Sequence, residues 1–272
     1  MIATVHLFPV LDEKLLRLLR SLNADDWDRP ATPKWTVKDV AAHLLDGNIR
    51  TLSMLRDGYF GMGKPASDDY ADVLDYINTF NAQWVSAARR LSPALLTGLL
   101  EITGKMHNDY YAALPLYAVS PFAVSWAGEQ QSMNWFHIAR EYTEKWHHQQ
   151  QIRKALGRES ELYSPPLYRP YLETSMRAFP HHYRDVKAVS GDTIRIRIDG
   201  EAGGDWFLAF RESWQFTDAP AAGCKASIHI PADIAWQIFT RAITPEEAKK
   251  HVITEGPSAL TEPVFTLLAV MA

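Results

Sequence analysis

The period of the hydrophobic residues changes partway along the chain, and this change limits the folds that are open to it. In residues 10–22 (VLDEKLLRLLRSL), leucines recur at spacings of three and four, which is typical of a helix with one buried face. In residues 193–199 (TIRIRID), isoleucines alternate with other residues, which is typical of a half-buried strand. The sequence therefore predicts an all-helical first half and a second half that contains a sheet.

The helices predicted in the first half cover residues 10–22, 37–56, 67–91 and 132–156. Ser92 and Pro93 are predicted to close the third helix. Pro115 and Pro121 interrupt an aromatic-rich stretch, so residues 104–130 are predicted to form a long ordered loop. Four helices of these lengths favour an antiparallel four-helix bundle.

Strands are predicted at residues 193–199, 205–216 and 225–230, with helical segments after Pro231. Together they predict an α+β domain with a mainly antiparallel sheet. The predicted organisation is a helical bundle at 1–160, a linker helix at 161–184 and the α+β domain at 185–272.

The composition excludes several classes of protein. A net charge of -4 gives no sign of a basic surface for nucleic acid. The sequence contains no run of about 18 uncharged apolar residues, which a membrane-spanning helix would need. No targeting segment is recognised, so a cytoplasmic protein is expected, and homodimerisation is compatible with an enzyme of this size. The single cysteine, Cys224, excludes a disulfide framework and is predicted to be buried. Any metal site must therefore use His, Asp and Glu.

Glu144 and His148 are the pair most suited to bind a metal. Four residues apart on a helix, they project from one face and can hold one ion. His43 can provide a third ligand if its helix lies beside theirs, and three ligands leave coordination positions open. The same spacing also occurs as a weak side-chain pair on exposed helices, and a single histidine is commonly a core residue. His147 lies about 100° round the helix from His148 and is not predicted to be a ligand.

Two segments resemble a known metalloprotein family. Residues 35–57 (WTVKDVAAHLLDGNIRTLSMLRD) and 134–157 (NWFHIAREYTEKWHHQQQIRKALG) resemble the two conserved blocks of DinB-like metal-binding bundles, more specifically of mycothiol-dependent maleylpyruvate isomerases. The region from residue 225 resembles the sterol-carrier-protein-like domain that follows the bundle in these isomerases. The resemblance implies that His43, Glu144 and His148 bind a divalent metal, usually zinc. It also implies a low-molecular-weight thiol as co-substrate.

The activity expected from this resemblance is thiol transfer to, or isomerisation of, a small electrophilic substrate. A metal-bound thiol is deprotonated near neutral pH, and Cys224 has no neighbouring His or acid in sequence, so the working thiol must come from outside the chain. One alternative is a hydrolase that uses a metal-bound water, with Glu141 relaying protons. Another is a non-catalytic small-molecule binding protein with a residual metal site.

Three further residues are predicted to contact the substrate. Trp126 and Glu129 flank the helix that carries the metal ligands and can form the wall of a cavity. Arg241 can hold a substrate carboxylate, because its guanidinium offers two parallel N–H donors. A solvated arginine at a helix end is the alternative interpretation of Arg241.

Overall fold

The chain forms two compact units. The computed structural model describes residues 1–61, 63, 65–67, 70–220 and 223–270. The first unit comprises Ala3–Pro121 and Met133–Glu161, and the second comprises Phe122–Ser132 and Leu162–Ala272. Within the described ranges, no helix combines the length and the apolar composition needed to cross a bilayer.

The first unit is helical, as predicted. Its helices are α1 (Phe8–Arg20), α2 (Val37–Arg50), α3 (Tyr70–Ala88), α4 (Pro93–Ala113) and α5 (Asn134–Ala155). A π-helical segment, Thr51–Arg56, extends α2. Helix α2 packs against α3, α4 and α5, and α1 packs against α4 and α5. Helix α2 is therefore the central element of the unit.

Local sequence explains where α2 begins and which face it buries. The hydroxyl of Thr36 accepts the backbone N–H of Asp39 at 3.3 Å, and the Asp39 carboxylate accepts the N–H of Thr36 at 3.2 Å. This capping box satisfies two backbone donors that a helix start leaves unpaired. Val40 and Leu44 then join a core that also contains Leu15 of α1.

Helix α4 corrects the predicted loop at residues 104–130. Ser92 lies at the start of a further helix. It caps α4 by accepting the N–H of Leu95 at 3.2 Å, and Pro93 is the first helical residue. Proline is tolerated there because the first N–H of a helix has no partner within it. The helix runs to Ala113, just before Pro115, so the loop is shorter than predicted.

The second unit contains helices and one sheet, which confirms the predicted change of character. Its helices are α6 (Pro165–Met176), α7 (Ala178–His182), α8 (Ala232–Phe239), α9 (Pro245–Ala248) and α10 (Ser258–Thr261). Its strands are β1 (Thr193–Ile198), β2 (Gly204–Phe210), β3 (Trp214–Thr217), β4 (Ala226–Ile230) and β5 (Ile253–Glu255). Ile194, Ile196 and Ile198 of β1 are buried, as their alternation predicts.

The sheet is mixed, which corrects the predicted mainly antiparallel sheet. The strand order among the described residues is β3-β2-β1-β4-β5, and β1 and β4 pair in parallel with Ile196 opposite Ile228. The other three pairings are antiparallel. A β-hairpin can be predicted from the turn residues between its strands. The parallel pair joins strands about 30 residues apart, so no local sequence pattern predicts it.

Cys224 is exposed, which corrects its predicted burial. It precedes β4 in a short connection and takes no place in the hydrophobic core. Partial desolvation raises the pKa of its thiol. The group is therefore a weaker nucleophile at neutral pH than an ordinary cysteine.

Candidate metal centre

Helices α2 and α5 carry the residues of the candidate centre, and neighbouring helices hold both in place. The Trp84 indole of α3 donates to the carbonyl of Ala42 at 2.8 Å, one residue before His43. The Gln149 amide of α5 donates to the carbonyl of Leu11 at 2.8 Å, one residue after His148. The backbone before His43 and the side chain after His148 are therefore each hydrogen-bonded to a neighbouring helix.

The structure brings the rings of His43 and His148 together across the two helices. Their centroids are 4.6 Å apart and the ring planes make an angle of 76°. The Trp35 ring lies against the His43 ring, with 4.9 Å between their centroids. Nδ1 of His43 is buried and has no hydrogen-bond partner among the described residues. An unpaired buried ring nitrogen costs free energy unless a ligand satisfies it.

Three residues of α5 form a compact cluster of ligand atoms. Glu144, His147 and His148 each offer one atom, and these atoms all lie within 4.8 Å of one another. Nε2 of His148 is 3.5 Å from Oε2 of Glu144. Ligand atoms around a tetrahedral zinc ion lie about 3.3 Å apart, so modest side-chain rotation would bring this cluster to metal-binding distances.

Hydrogen bonds set the ring orientation of both histidines. Nδ1 of His147 is 2.8 Å from the carbonyl oxygen of Thr143, which can only accept. Nδ1 of His148 is 2.9 Å from Oε1 of Gln151. Nδ1 of His147 therefore carries the proton, and its Nε2 keeps a lone pair. Metal-binding histidines in proteins commonly have this arrangement.

The electrostatics favour an ionised Glu144 beside neutral His147 and His43 rings. Burial alone would raise the pKa of Glu144, but the hydrogen bond to His148 and nearby positive charge lower it to about 2. Burial lowers the pKa of His147 to about 4 and that of His43 well below its ordinary value. These are the protonation states in which carboxylates and imidazoles bind metals.

His147 is the residue that sequence reasoning left out. Its exposed fraction is 4%, and its ring centroid is 3.9 Å from that of His148. Helical periodicity places its Cα about 100° from His148, but it does not determine where a long side chain ends. The hydrogen bond from Nδ1 of His147 to the Thr143 carbonyl orients the ring so that it contributes an atom to the cluster.

Glu141 lies one helical turn before the cluster, where it forms an ion pair. Its Oε1 is 2.6 Å from Nη2 of Arg140. Arg140 also contacts Nδ1 of His137 at 2.9 Å. The predicted proton-relay residue is therefore held by an arginine on its own helix.

The three predicted substrate contacts belong to the second unit. Trp126 is buried in a short 3₁₀ helix, and Glu129 accepts hydrogen bonds from Ser132 and from Arg177, the latter at 3.3 Å. Arg241 is exposed, has a left-handed backbone (φ 51°) and donates to the carbonyl of Thr266 at 3.2 Å.

Comparisons with known proteins concern the family and the fold. The family model described as the mycothiol maleylpyruvate isomerase N-terminal domain matches residues 8–153, more than half of the chain. Among solved structures, mycothiol-dependent maleylpyruvate isomerase has a TM-score of 0.50 at 11% identity, and a histidine-to-alanine mutant of such an isomerase scores 0.49 at 10%. Each match covers 93% of both chains, and the match with a TM-score of 0.50 shows the fold alone. No curated protein matches the sequence.

Proposed function

The chain belongs to the mycothiol maleylpyruvate isomerase N-terminal domain family, and on that premise we propose that it is a divalent-metal-dependent enzyme that uses an external low-molecular-weight thiol to transfer to, or isomerise, a small electrophilic substrate. The observation that carries the proposal is the cluster of Glu144, His147 and His148, against which the ring of His43 lies. Mycothiol is the thiol that fits the family.

The donor set fits a divalent metal such as zinc. Imidazole nitrogen and carboxylate oxygen are ordinary zinc ligands, and His147 presents an Nε2 lone pair. The His43 ring lies against that of His148, and its buried Nδ1, which has no partner in the described part of the chain, offers a further nitrogen. We propose His43, Glu144 and His148 as ligands, with His147 as a fourth candidate.

Residues around the candidate centre would have separate roles in metal and thiol binding. A divalent metal held here would supply a thiolate at neutral pH by lowering the pKa of the thiol. Glu144 supplies the negative charge that holds a cation, and Trp35 packs against His43 and limits its motion. The raised pKa of the exposed Cys224 thiol agrees with a thiol that comes from outside the chain.

Other parts of the proposal concern the whole chain. We propose a DinB-like bundle at 1–160, a linker helix at 161–184 and a sterol-carrier-protein-like domain at 185–272. We keep Trp126, Glu129 and Arg241 as proposed substrate contacts and Glu141 as a proposed proton-transfer residue. A cytoplasmic location and a homodimer complete the proposal.

The experiment that tests the activity combines metal removal with omission of the thiol. Conversion of maleylpyruvate is followed with metal-loaded protein and mycothiol, with chelated protein and mycothiol, and with metal-loaded protein alone. We expect conversion only in the first sample, and recovery of the second on adding Zn²⁺. Chelated protein that is as active as metal-loaded protein would rule the proposal out. Ester or amide cleavage at a rate that does not depend on thiol would favour a hydrolase instead.

A further inference from the structure

Three large apolar side chains lie on the solvent-facing side of α4. Leu95 is 51% exposed, Ile102 63% and Met106 39%. Because they are seven and four residues apart on one helix, they lie on the same face of it. Single exposed apolar side chains are ordinary on protein surfaces, whereas a stripe of them along one face is typical of an interaction surface.

A groove between α1 and α4, with a volume of about 650 Å³, lies beside this stripe. Leu16 of α1 lines it, together with Glu101 and Lys105 of α4. Lys105 follows Ile102 by three residues, so the wall of the groove and the apolar stripe are neighbours on the surface of α4. Groove and stripe therefore form one surface, the α1–α4 face, in which apolar side chains lie among charged ones. Protein–protein interfaces commonly have this composition.

The charges on the α1 side of this face change sign along the helix. Asp12 and Glu13 lie in the first half of α1, and Arg17 and Arg20 lie in the second half. Glu13 is exposed and has no ion pair among the described residues. Arg17 contacts Glu161, but its side chain is 62% exposed, so part of its guanidinium remains available. If α1 of a second copy packs antiparallel on this helix, Glu13 of each copy meets Arg17 of the other.

Contacts between α1 and α4 locate the middle of the face. Nη2 of Arg20 lies 2.6 Å from Oε2 of Glu101 at one end of the groove. Nδ2 of Asn108 donates to Oδ2 of Asp12 at 2.8 Å at the other end. The two helices therefore run antiparallel, and the middle of the face lies midway between these contacts on each helix.

A two-fold axis that crosses both helices at this middle brings complementary groups together. On α4, Ile102 of one copy meets Met106 of the other, and Glu101 meets Lys105. On α1, the acid and the arginine of opposite copies meet. Each of these pairs is centred within about two residues, or about 3 Å, of the middle that the α1–α4 contacts define. The same axis therefore satisfies both helices.

From this arrangement we propose that the α1–α4 face binds a second copy of the chain in an isologous dimer. A two-fold interface needs a surface that is complementary to itself, and the order of charges and the apolar pair both meet this condition. Helix α1 is about 20 Å long, α4 about 31 Å and each about 10 Å wide, so the two copies together offer about 1,000 Å², the lower limit for a specific interface. A dimer that forms at micromolar concentration is therefore expected. This inference deepens the proposed function by naming the surface of its homodimer, and it rests on that function only for the expectation of a dimer.

Sedimentation equilibrium of the full chain, at about 1 to 200 µM, tests the apolar part of the interface. The variants are Ile102→Asp and, as a matched control, Ile253→Asp, because Ile253 is 61% exposed and lies on β5 in the second unit. We expect wild type and Ile253→Asp to dimerise with equal dissociation constants, and Ile102→Asp to dimerise at least about tenfold more weakly. A wild type that stays monomeric over this range, or an unchanged dissociation constant in Ile102→Asp, overturns the proposal. Weakening by Ile253→Asp alone would place the contact at β5 and overturn it as well.

An exchange of charges tests the antiparallel register. Glu13→Arg sets arginine against arginine across the axis and Arg17→Glu sets acid against acid, so each variant should dimerise several-fold more weakly than wild type. The double variant Glu13→Arg/Arg17→Glu restores opposite charges and should return close to the wild-type dissociation constant. A double variant as weak as the single ones contradicts this register.

The outcomes for the interface are separate from those for the activity, because sedimentation needs neither metal nor thiol. Dimerisation that depends on Ile102, in a protein that shows no thiol-dependent conversion, would keep the interface and overturn the proposed activity. A monomer that converts maleylpyruvate with mycothiol would overturn the interface and keep the activity.

Discussion

The ring of His43 on α2 lies edge-on against the ring of His148 on α5, with 4.6 Å between their centroids. The two residues are 105 positions apart in sequence, and the packing of α2 on α5 brings them together. Glu144 and His147 form a cluster of ligand atoms with His148, and the His43 ring contacts this cluster through His148.

His147 is expected to contribute to metal binding. Its Nδ1 is held by the Thr143 carbonyl, so its Nε2 is available to the cluster. Replacing His147 with Gln should weaken zinc binding by about tenfold or more, measured by competition with a chelator of known affinity. The matched control is His107→Gln, a histidine of the same unit that is also buried. Unchanged zinc affinity in His147→Gln would show that the metal uses other ligands.

Asp46 is expected to make stability depend on pH. Burial raises the pKa of this carboxyl from 3.8 to about 6, although Nε of Arg50 lies 3.0 Å away. The folded state therefore binds a proton more tightly than the unfolded state. The stability contributed by protonated Asp46 is present below pH 4 and is lost as the pH rises through 6.

The variant Asp46→Asn isolates this effect, because asparagine cannot ionise. The unfolding free energy of Asp46→Asn relative to wild type should increase by up to about 3 kcal/mol between pH 4 and pH 7. Urea denaturation of chelated protein at several pH values measures the difference. A difference that stays constant over this range would mean that Asp46 has an ordinary pKa.

The capping box at the start of α2 is expected to stabilise the helix that carries His43. Thr36→Ala removes the hydroxyl that accepts the N–H of Asp39, and it should lower the unfolding free energy by about 1 kcal/mol. Thr36→Ser keeps the hydroxyl and should remain close to wild type. If both variants lose the same stability, the hydroxyl contact is not the cause.

Much of the fold could be predicted from local sequence, because periodicity and capping act over short distances. The leucine spacing of α1, the Thr36 cap of α2 and the alternation of β1 all appear in the structure. Helix α4 was missed because Ser92 and Pro93 signal a helix end and a helix start equally well. The parallel pairing of β1 with β4 depends on contacts between distant segments, which no local pattern reports.

The candidate site, like the fold, could be predicted from sequence only where helix geometry alone determines the arrangement. The spacing of Glu144 and His148 follows directly from helix geometry, and the structure places their side-chain atoms 3.5 Å apart. The position of His147 depends on a side-chain rotation toward Thr143. Whether Nε of Arg140 is buried without a hydrogen-bond partner among the described residues depends on which neighbours surround it after folding. Neither property can be read from residue types and spacing.

Metal content of the purified protein tests the central claim most directly, and the chain offers a matched control. Glu247 and His251 have the same four-residue spacing as Glu144 and His148, with 3.1 Å between the Glu247 carboxylate and the His251 ring, but both are partly or fully exposed and lie in the second unit. After equilibration with zinc and gel filtration, wild type and His251→Ala should each retain about one zinc ion per chain by elemental analysis, whereas His148→Ala should retain almost none. Equal zinc content in His148→Ala and wild type would contradict the assignment of the site.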